Sequence, residues 1–128
     1  MSIEWINKEK NANAVTLYGN NITLSKQAAM FFEDAYGVAV GVDSEEGYLV
    51  LKKVTKEEVL KKEVDKDNIY DITMKPSFGR INSKRLISEL EKYLDVDFNK
   101  QLSYKFSAKW HNGHKMLIID VKEAMKHD

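Results

Sequence analysis

The sequence has no cysteine, no long apolar run and no excess of either charge sign. Without cysteine, the chain has no disulfide bond, no thiolate nucleophile and no cysteine-based zinc site. Its 20 basic and 20 acidic residues cancel, so no global field directs it to nucleic acid or to an anionic membrane. The stretch MSIEWINKEKNAN carries charges throughout and lacks the apolar run of a signal peptide. We therefore expect a cytoplasmic protein with no membrane partner.

Catalytic signatures are missing as well. The sequence has no glycine-rich phosphate loop, no Ser-His-Asp order and no His/Glu metal pair. Its carboxylates lie in charged runs, not in apolar surroundings that would shift a pKa. His111 and His114 bracket Asn112-Gly113 and would face each other across a hairpin turn, but two imidazoles without a third ligand make a poor metal site. We therefore expect no enzymatic activity, no catalytic residue, no cofactor and no bound metal.

One pattern occurs twice along the chain. In each copy a short β-type run leads to a Ser-Lys pair, Ser25-Lys26 and Ser83-Lys84, and then to an apolar stripe with helical spacing. Each serine is well placed to cap the helix that follows it. The aligned positions of the stripe are all apolar or aromatic: Ala28, Ala29, Phe32, Ala35, Tyr36 and Val38 in the first copy, and Leu86, Ile87, Leu90, Tyr93, Leu94 and Val96 in the second.

A hairpin pattern follows each predicted helix. In the first copy the strands are 38–43 and 48–54, and in the second they are 102–110 and 115–120. The second pair flanks Asn112-Gly113, which predicts a two-residue type I′ turn because both central positions of that turn need positive φ. Each repeat therefore reads β-β-α-β-β.

We predict one α+β domain over residues 1–128, with repeat one at 13–54, a connecting helix or loop at 55–69 and repeat two at 70–121. The sheet should be mostly antiparallel, with two short helices plus a connecting helix. Because one such repeat is too small to bury its apolar face alone, we expect the two to pack about a pseudo-two-fold axis. Thr55 and Glu58 form a capping-box pattern at the start of the connecting helix, and Glu58 and Lys62 lie four residues apart.

The second copy carries a family resemblance. The segment FGRINSKRLISELEKYLDVD resembles the AbrB-like, swapped-hairpin family of DNA-binding regulators, through Gly79-Arg80-Ile81, the helical pattern at 84–93 and Leu94-Asp95-Val96. A chain with two such units is similar to the tandem arrangement of the MraZ branch. In the first copy, Asn21-Ile22-Thr23 stands where Gly-Arg-Ile would be, and Asn82-Ser83 stands where the family usually has proline. The resemblance implies a transcription regulator that binds double-stranded DNA.

The candidate nucleic-acid-binding residues follow from this resemblance. Arg80, Lys84 and Arg85 lie just before and at the start of the second helical stripe, and Lys26 is the basic counterpart in the first copy. Such residues would contact phosphate oxygens, and an arginine could read a guanine edge. The second half of the chain, 70–128, holds eleven basic and eight acidic residues, whereas 1–69 holds nine and twelve.

Other interpretations stay open from the sequence. The same sheet could serve as a protein-interaction or scaffold module, or a cleft between the repeats could bind a small molecule. Sheet edges left by such repeats favour self-association to a homodimer. We also considered base stacking by the aromatic residues, but core packing explains most of them better. These residues are Trp5, Tyr18, Tyr36, Tyr48, Tyr104 and Trp110. Trp5 lies outside the repeats and would cover a sheet edge or a partner surface.

Overall fold

The computed structural model describes residues 2–5 and 13–126, which contain nine strands and three α-helices. The strands are β1 (Ala14–Tyr18), β2 (Asn21–Ser25), β3 (Gly37–Asp43), β4 (Tyr48–Val54), β5 (Ile69–Tyr70), β6 (Thr73–Met74), β7 (Phe78–Asn82), β8 (Ser103–His111) and β9 (Met116–Asp120). The helices are α1 (Lys26–Met30), α2 (Lys56–Leu60) and α3 (Lys84–Leu90), and short 3-10 turns occupy Lys66–Asn68 and Lys122–Ala124.

The strands form a single sheet in the order β5-β3-β4-β9-β8-β1-β2-β7-β6. Each neighbouring pair in the described ranges is antiparallel. The two terminal strands of this order, β5 and β6, are separated in the chain by Asp71 and Ile72 alone. The sheet is therefore curled, because its two ends are held by one short piece of chain. The α+β class and the mostly antiparallel sheet with few short helices confirm the coarser part of the predicted fold.

Strand β8 belongs to both halves of the sheet. Its first part pairs with β1, where Ser107 lies opposite Ala14, and its last part pairs with β9, where Ala108 lies opposite Ile119. Strands β1 and β9 lie on opposite edges of β8, and the two ladders meet at residues 107 and 108. A nine-residue strand is long enough to supply both ladders, since neighbouring residues are about 3.3 Å apart along a strand.

The core lies on the inner side of the curled sheet. Alternate residues of β1, β2 and β4 point inward, as the two-residue period of a strand requires, and Val15, Ile22 and Leu51 are completely buried. Helices α1 and α3 add Ala28, Ala29, Leu86, Ile87 and Leu90 to the same cluster. Each fully buried Leu or Ile stabilises the fold by about 1.5–3 kcal/mol relative to an exposed one. The core thus joins residues from both halves of the chain.

The helix starts were predicted correctly. Ser25 and Ser83 are the N-caps of α1 and α3, and their side chains accept hydrogen bonds from the backbone N–H of Ala28 and Leu86. Thr55 and Glu58 form the full capping box of α2, with both reciprocal hydrogen bonds present. Because short helices have few internal hydrogen bonds, these caps satisfy a large share of their free N–H groups.

The helices end earlier than their apolar stripes predicted. Helix α1 stops at Met30 and α3 at Leu90, and the turns that follow carry the rest of each stripe. As a result, Tyr36 and Tyr93 are exposed, although the sequence pattern placed them on the buried side. Val38 remains buried, but as a residue of strand β3. Helical spacing alone does not show where tertiary packing stops a helix.

The structure contradicts the predicted two-residue type I′ turn at Asn112-Gly113. The connection between β8 and β9 has four residues, 112–115, and closes with His111 opposite Met116. The residue with positive φ is Lys115, at 55°, whereas neither Asn112 nor Gly113 has a positive φ. His111 and His114 consequently do not face each other as a strand pair. Their rings stack instead, with centroids 4.8 Å apart.

The predicted pairing of Glu58 with Lys62 is also wrong. Lys62 has a φ of 59°, so the helix has already ended at that residue. Glu58 instead contacts Lys52 on β4, with 2.9 Å between Oε2 and Nζ. The pair that does occur with four-residue spacing on α2 is Glu57 with Lys61, at 2.8 Å.

Candidate nucleic-acid interface

A row of polar and basic side chains crosses the outer side of five strands. Because Ile22 and Ile81 point into the core from β2 and β7, their neighbours Thr23 and Arg80 point outward. The strand register then places one residue of each strand in line. This cross-strand row consists of Lys105 (β8), Thr16 (β1), Thr23 (β2), Arg80 (β7) and Thr73 (β6).

Arg80 is held in place by two contacts. Its Nε donates a hydrogen bond to Thr23 Oγ1 at 3.1 Å, and its guanidinium lies over the ring of Phe78, 4.6 Å from the centroid. A cation–π contact of this kind contributes about 0.5–1 kcal/mol at an exposed site. In the described part of the chain, the terminal guanidinium nitrogens have no protein acceptor. Those nitrogens are therefore free to donate to a ligand from a fixed position.

Arg80 has no ion-pair partner in the described ranges. The cross-strand row contains no aspartate or glutamate, and Asp71 lies two residues before Thr73. The neighbouring rows hold Tyr18, Asn21 and Asn82 on one side, and Ala14, Ser25 and Phe78 on the other. The ion pairs found within residues 13–126 join Lys52 to Glu58, Lys53 to Asp34, Lys61 to Glu57 and Lys92 to Glu89. The positive charge of Arg80 is thus not neutralised by the protein itself.

The other three predicted residues do not join Arg80 in one cluster. Lys84 and Arg85 begin α3, Lys26 begins α1, and all three side chains are exposed. Since β2 and β7 are antiparallel, the two helices start from opposite ends of this strand pair. Five residues of strand separate the two helix caps along the sheet, about 17 Å at the usual rise. Arg80 therefore lies between two separate basic ends.

The sequence alone did not identify Thr23, Phe78 and Lys105 as parts of this surface. The alternation in NITLS and FGRIN indicates that Thr23 and Arg80 point away from the core, and this signal was available. The pairing of β2 with β7 joins residues far apart in the chain, and nothing in the sequence specifies its register.

Three of the six candidate stacking aromatics, Tyr48, Tyr104 and Trp110, are half-buried, and the other three are exposed. Trp110 stacks on Phe31 with centroids 4.6 Å apart and meets Phe32 edge-on at 5.7 Å. The Tyr104 hydroxyl accepts a hydrogen bond from the Asp97 N–H and donates one to the Asp97 carbonyl. The contacts of Trp110 and Tyr104 agree with the core-packing interpretation. Tyr18 and Tyr36 are exposed to 37% and 46%. Trp5 is 84% exposed, so it does not cover a sheet edge of its own chain, and a partner surface for it stays a prediction.

A second outer surface has a different character. On β3, β4 and β9 the outward residues include Ala39, Val50, Met116 and Ile118, all half-buried, which we call the apolar face. Gly41 lies in the same region, and a side chain added there would meet nothing within 4 Å. This part of the sheet is therefore open on its outer side.

No family model, no curated protein and no solved structure matches this chain. No helix in the described ranges is long and apolar enough to cross a membrane. Within those ranges, no group of three or more His, Asp or Glu side chains could hold a metal ion.

Proposed function

We propose that this protein is a non-catalytic, cytoplasmic DNA-binding protein of the transcription-regulator kind. The observation that supports it best is Arg80. Its guanidinium is fixed by Thr23 and Phe78, has no ion-pair partner in the described ranges, and keeps its terminal N–H groups available. Phosphate and guanine both accept two parallel hydrogen bonds from such a group.

The β2–β7 pair would be the element that meets the DNA. Strands β1 and β6 flank this pair, so its outer sheet face would lie against the DNA backbone. With Arg80 near the middle of this face, the exposed Lys84 and Arg85 at one end and Lys26 at the other would lie toward further phosphates. Phosphate contacts fix the position of a protein on DNA, whereas a base contact from Arg80 would supply sequence specificity.

The two-repeat organisation is part of the same proposal. Its support is the strand order, since β1-β2-β7-β6 and β3-β4-β9-β8 each read as two hairpins with their inner strands paired. Leu49 pairs with Ile119 and Leu51 with Leu117, so a two-fold that exchanges β4 and β9 would preserve this register. Under such an axis, α1 and α3 would present Lys26 and Lys84 in equivalent positions.

The experiment is a binding titration of a mixed-sequence fluorescent DNA duplex, at low and at physiological salt. We expect binding at low salt that weakens as salt rises, since each neutralised phosphate adds about 0.9 to the slope of log K against log salt. Arg80→Ala should weaken binding by about tenfold, the order of a hydrogen bond to a charged group. Lys56→Ala removes the same charge from an exposed position on α2 and serves as the matched control.

Absence of binding at low salt would overturn the DNA proposal, and so would equal affinities for Arg80→Ala and Lys56→Ala. The second candidate function is a protein-interaction module without nucleic-acid binding. The apolar face favours it, because half-exposed Val50, Met116 and Ile118 suit a protein surface better than a polyanion. That candidate predicts no duplex binding at any salt concentration.

A further inference from the structure

A cleft lies on the outer side of the sheet near Ser107 of β8. On one edge β8 pairs with β1 up to Ser107, and on the other edge it pairs with β9 from Ala108 onward, so the β9 edge of β8 has no paired strand before Ala108 in the described ranges. Three cavities of about 310, 430 and 260 Å³ adjoin here, and Ser107 lines all of them. The first has the size at which small-molecule sites begin, about 300 Å³.

The cleft combines basic, polar and apolar groups. Lys105, Lys109 and Lys122 line its different parts, and Tyr48 and Ile118 form an apolar wall. Two carboxylates also line it: Asp120 borders both the cavity with Lys109 and the cavity with Lys122, and Glu123 borders the latter. Asp120 Oδ1 accepts a hydrogen bond from the Lys122 backbone N–H at 3.1 Å, at the start of the turn Lys122–Ala124. Three lysines therefore face two carboxylates across the three cavities.

Lys122 is positioned by its neighbours. Gly47 has a φ of 75°, and a Cβ built on it would lie 2.5 Å from Lys122 Cγ, so only glycine allows this approach. The Val121 N–H donates to the Gly47 carbonyl at 2.9 Å and fixes the same segment. The Lys122 ammonium then lies 6.0 Å from the ring centroid of Tyr48. A cation and an aromatic ring are thus held side by side at one wall of the cleft.

We propose that this cleft binds a phosphorylated small molecule that carries an aromatic ring, of the mononucleotide class. Lys109 and Lys122 contact the phosphate, the Ser107 hydroxyl donates to it, and the ring packs against Tyr48 and Ile118. The site is separate from Arg80, since β1 and β2 lie between β8 and β7 and three strand spacings amount to about 14 Å. The proposal does not depend on DNA binding.

The test is calorimetric titration of the full chain with AMP, ribose 5-phosphate and adenosine as separate probes. We expect saturable binding of AMP, with ribose 5-phosphate and adenosine each weaker by about tenfold, because each lacks one of the two recognised groups. Lys109→Ala and Lys122→Ala should each weaken AMP by about tenfold, and Lys56→Ala should not change it. Lys109 is exposed on its strand, so its replacement does not threaten the fold.

A parallel titration with duplex DNA shows whether the phosphate that the cleft recognises belongs to a free nucleotide or to a nucleic-acid backbone. We expect Lys109→Ala to lose AMP and keep duplex affinity, and Arg80→Ala to do the reverse. The proposal is overturned by absence of AMP binding, by AMP affinities in Lys109→Ala equal to those of the unmodified chain, or by ribose 5-phosphate binding as tightly as AMP. Loss of duplex binding in Lys109→Ala without any AMP binding would assign these lysines to DNA and overturn it too.

Discussion

Glu58 makes more stabilising contacts than any other carboxylate in the described ranges. Its Oε1 accepts the Thr55 N–H at 2.9 Å and completes the capping box, and its Oε2 meets Lys52 Nζ at 2.9 Å. The hydrogen bond from Lys52 and the backbone hydrogen bond from Thr55 lower the pKa of Glu58 from 4.5 to about 2. One side chain therefore fastens the start of α2 to strand β4.

The lowered pKa predicts how Glu58→Gln changes stability. The ionised carboxylate stabilises the fold fully above about pH 4.5, and this contribution is lost as the pH falls toward about 2. Glu58→Gln should lower the free energy of unfolding at neutral pH by up to about 1 kcal/mol, because glutamine can keep the capping hydrogen bond but loses the half-screened ion pair with Lys52. The difference between the two proteins should shrink to near zero by about pH 2.

Urea denaturation across this pH range measures the effect. Glu57→Gln is the matched control, because its ion pair with Lys61 is exposed and should contribute less than about 0.5 kcal/mol. A pH-independent difference between Glu58→Gln and the unmodified chain would contradict the assignment.

The sequence predicted the local contacts of single residues and missed the distant ones. Ser25, Ser83, Thr55 and Glu58 were identified as caps because a cap depends on residues within one helical turn. The contact of Arg80 with Thr23 was missed because it depends on strand register. At the candidate interface, the type of residue was therefore predictable, and its partners were not.

At the scale of elements, the two long hairpins share one loop design. Both connections have four residues, and in both the last loop residue has positive φ, 75° at Gly47 and 55° at Lys115. Glycine adopts this conformation without strain, whereas in lysine the Cβ clashes with the backbone and raises the energy of the folded state. The second hairpin thus carries strain that the first one avoids.

Replacing Lys115 by glycine should stabilise the protein. We expect the free energy of unfolding to rise by about 0.5–1 kcal/mol, since relief of the left-handed conformation outweighs the added freedom of the unfolded chain. Thermal unfolding measures this change. His114→Gly in the same loop, at a residue without positive φ, should destabilise the protein instead. Equal effects of the two glycines would contradict the explanation.

One edge of the sheet lacks a strand neighbour within residues 13–126. Strand β3 pairs with β5 only at Val38 and Ala39, so its later residues, 40–43, have no second strand neighbour in the described ranges. An uncovered edge offers free backbone donors and acceptors to another strand. We propose that two copies of the chain pair through this edge as a homodimer.

Gly41→Lys tests this dimer. A side chain at position 41 would meet nothing within 4 Å, so the single chain should keep its stability, while a charge at the edge disfavours strand pairing. Light scattering should give the mass of two chains for the unmodified protein and of one for Gly41→Lys. A single-chain mass for the unmodified protein would overturn the proposed dimer.

The fold class was predictable, but the path of the sheet was not. Alternating residues in β1, β4 and β9 indicated strands with one buried face, and the short helices followed from the Ser-Lys pairs. The pairing of β8 with two different strands is a property of the assembled sheet, and no sequence periodicity within 102–110 indicates it. The two-residue strand β5 is likewise too short to leave a pattern.

The shared strand also sets the order in which the chain can reach its native state. The β8–β9 hairpin closes over a four-residue loop, an event that takes about 1–10 μs in isolated hairpins. The pairing of β8 with β1 instead joins Ser107 to Ala14, which are far apart in the chain. The entropy lost on closing this long loop opposes the pairing until its contacts have formed. Domains dominated by such non-local pairings fold in milliseconds to seconds, and we expect this sheet, whose two halves are joined through β8, to fold on that timescale.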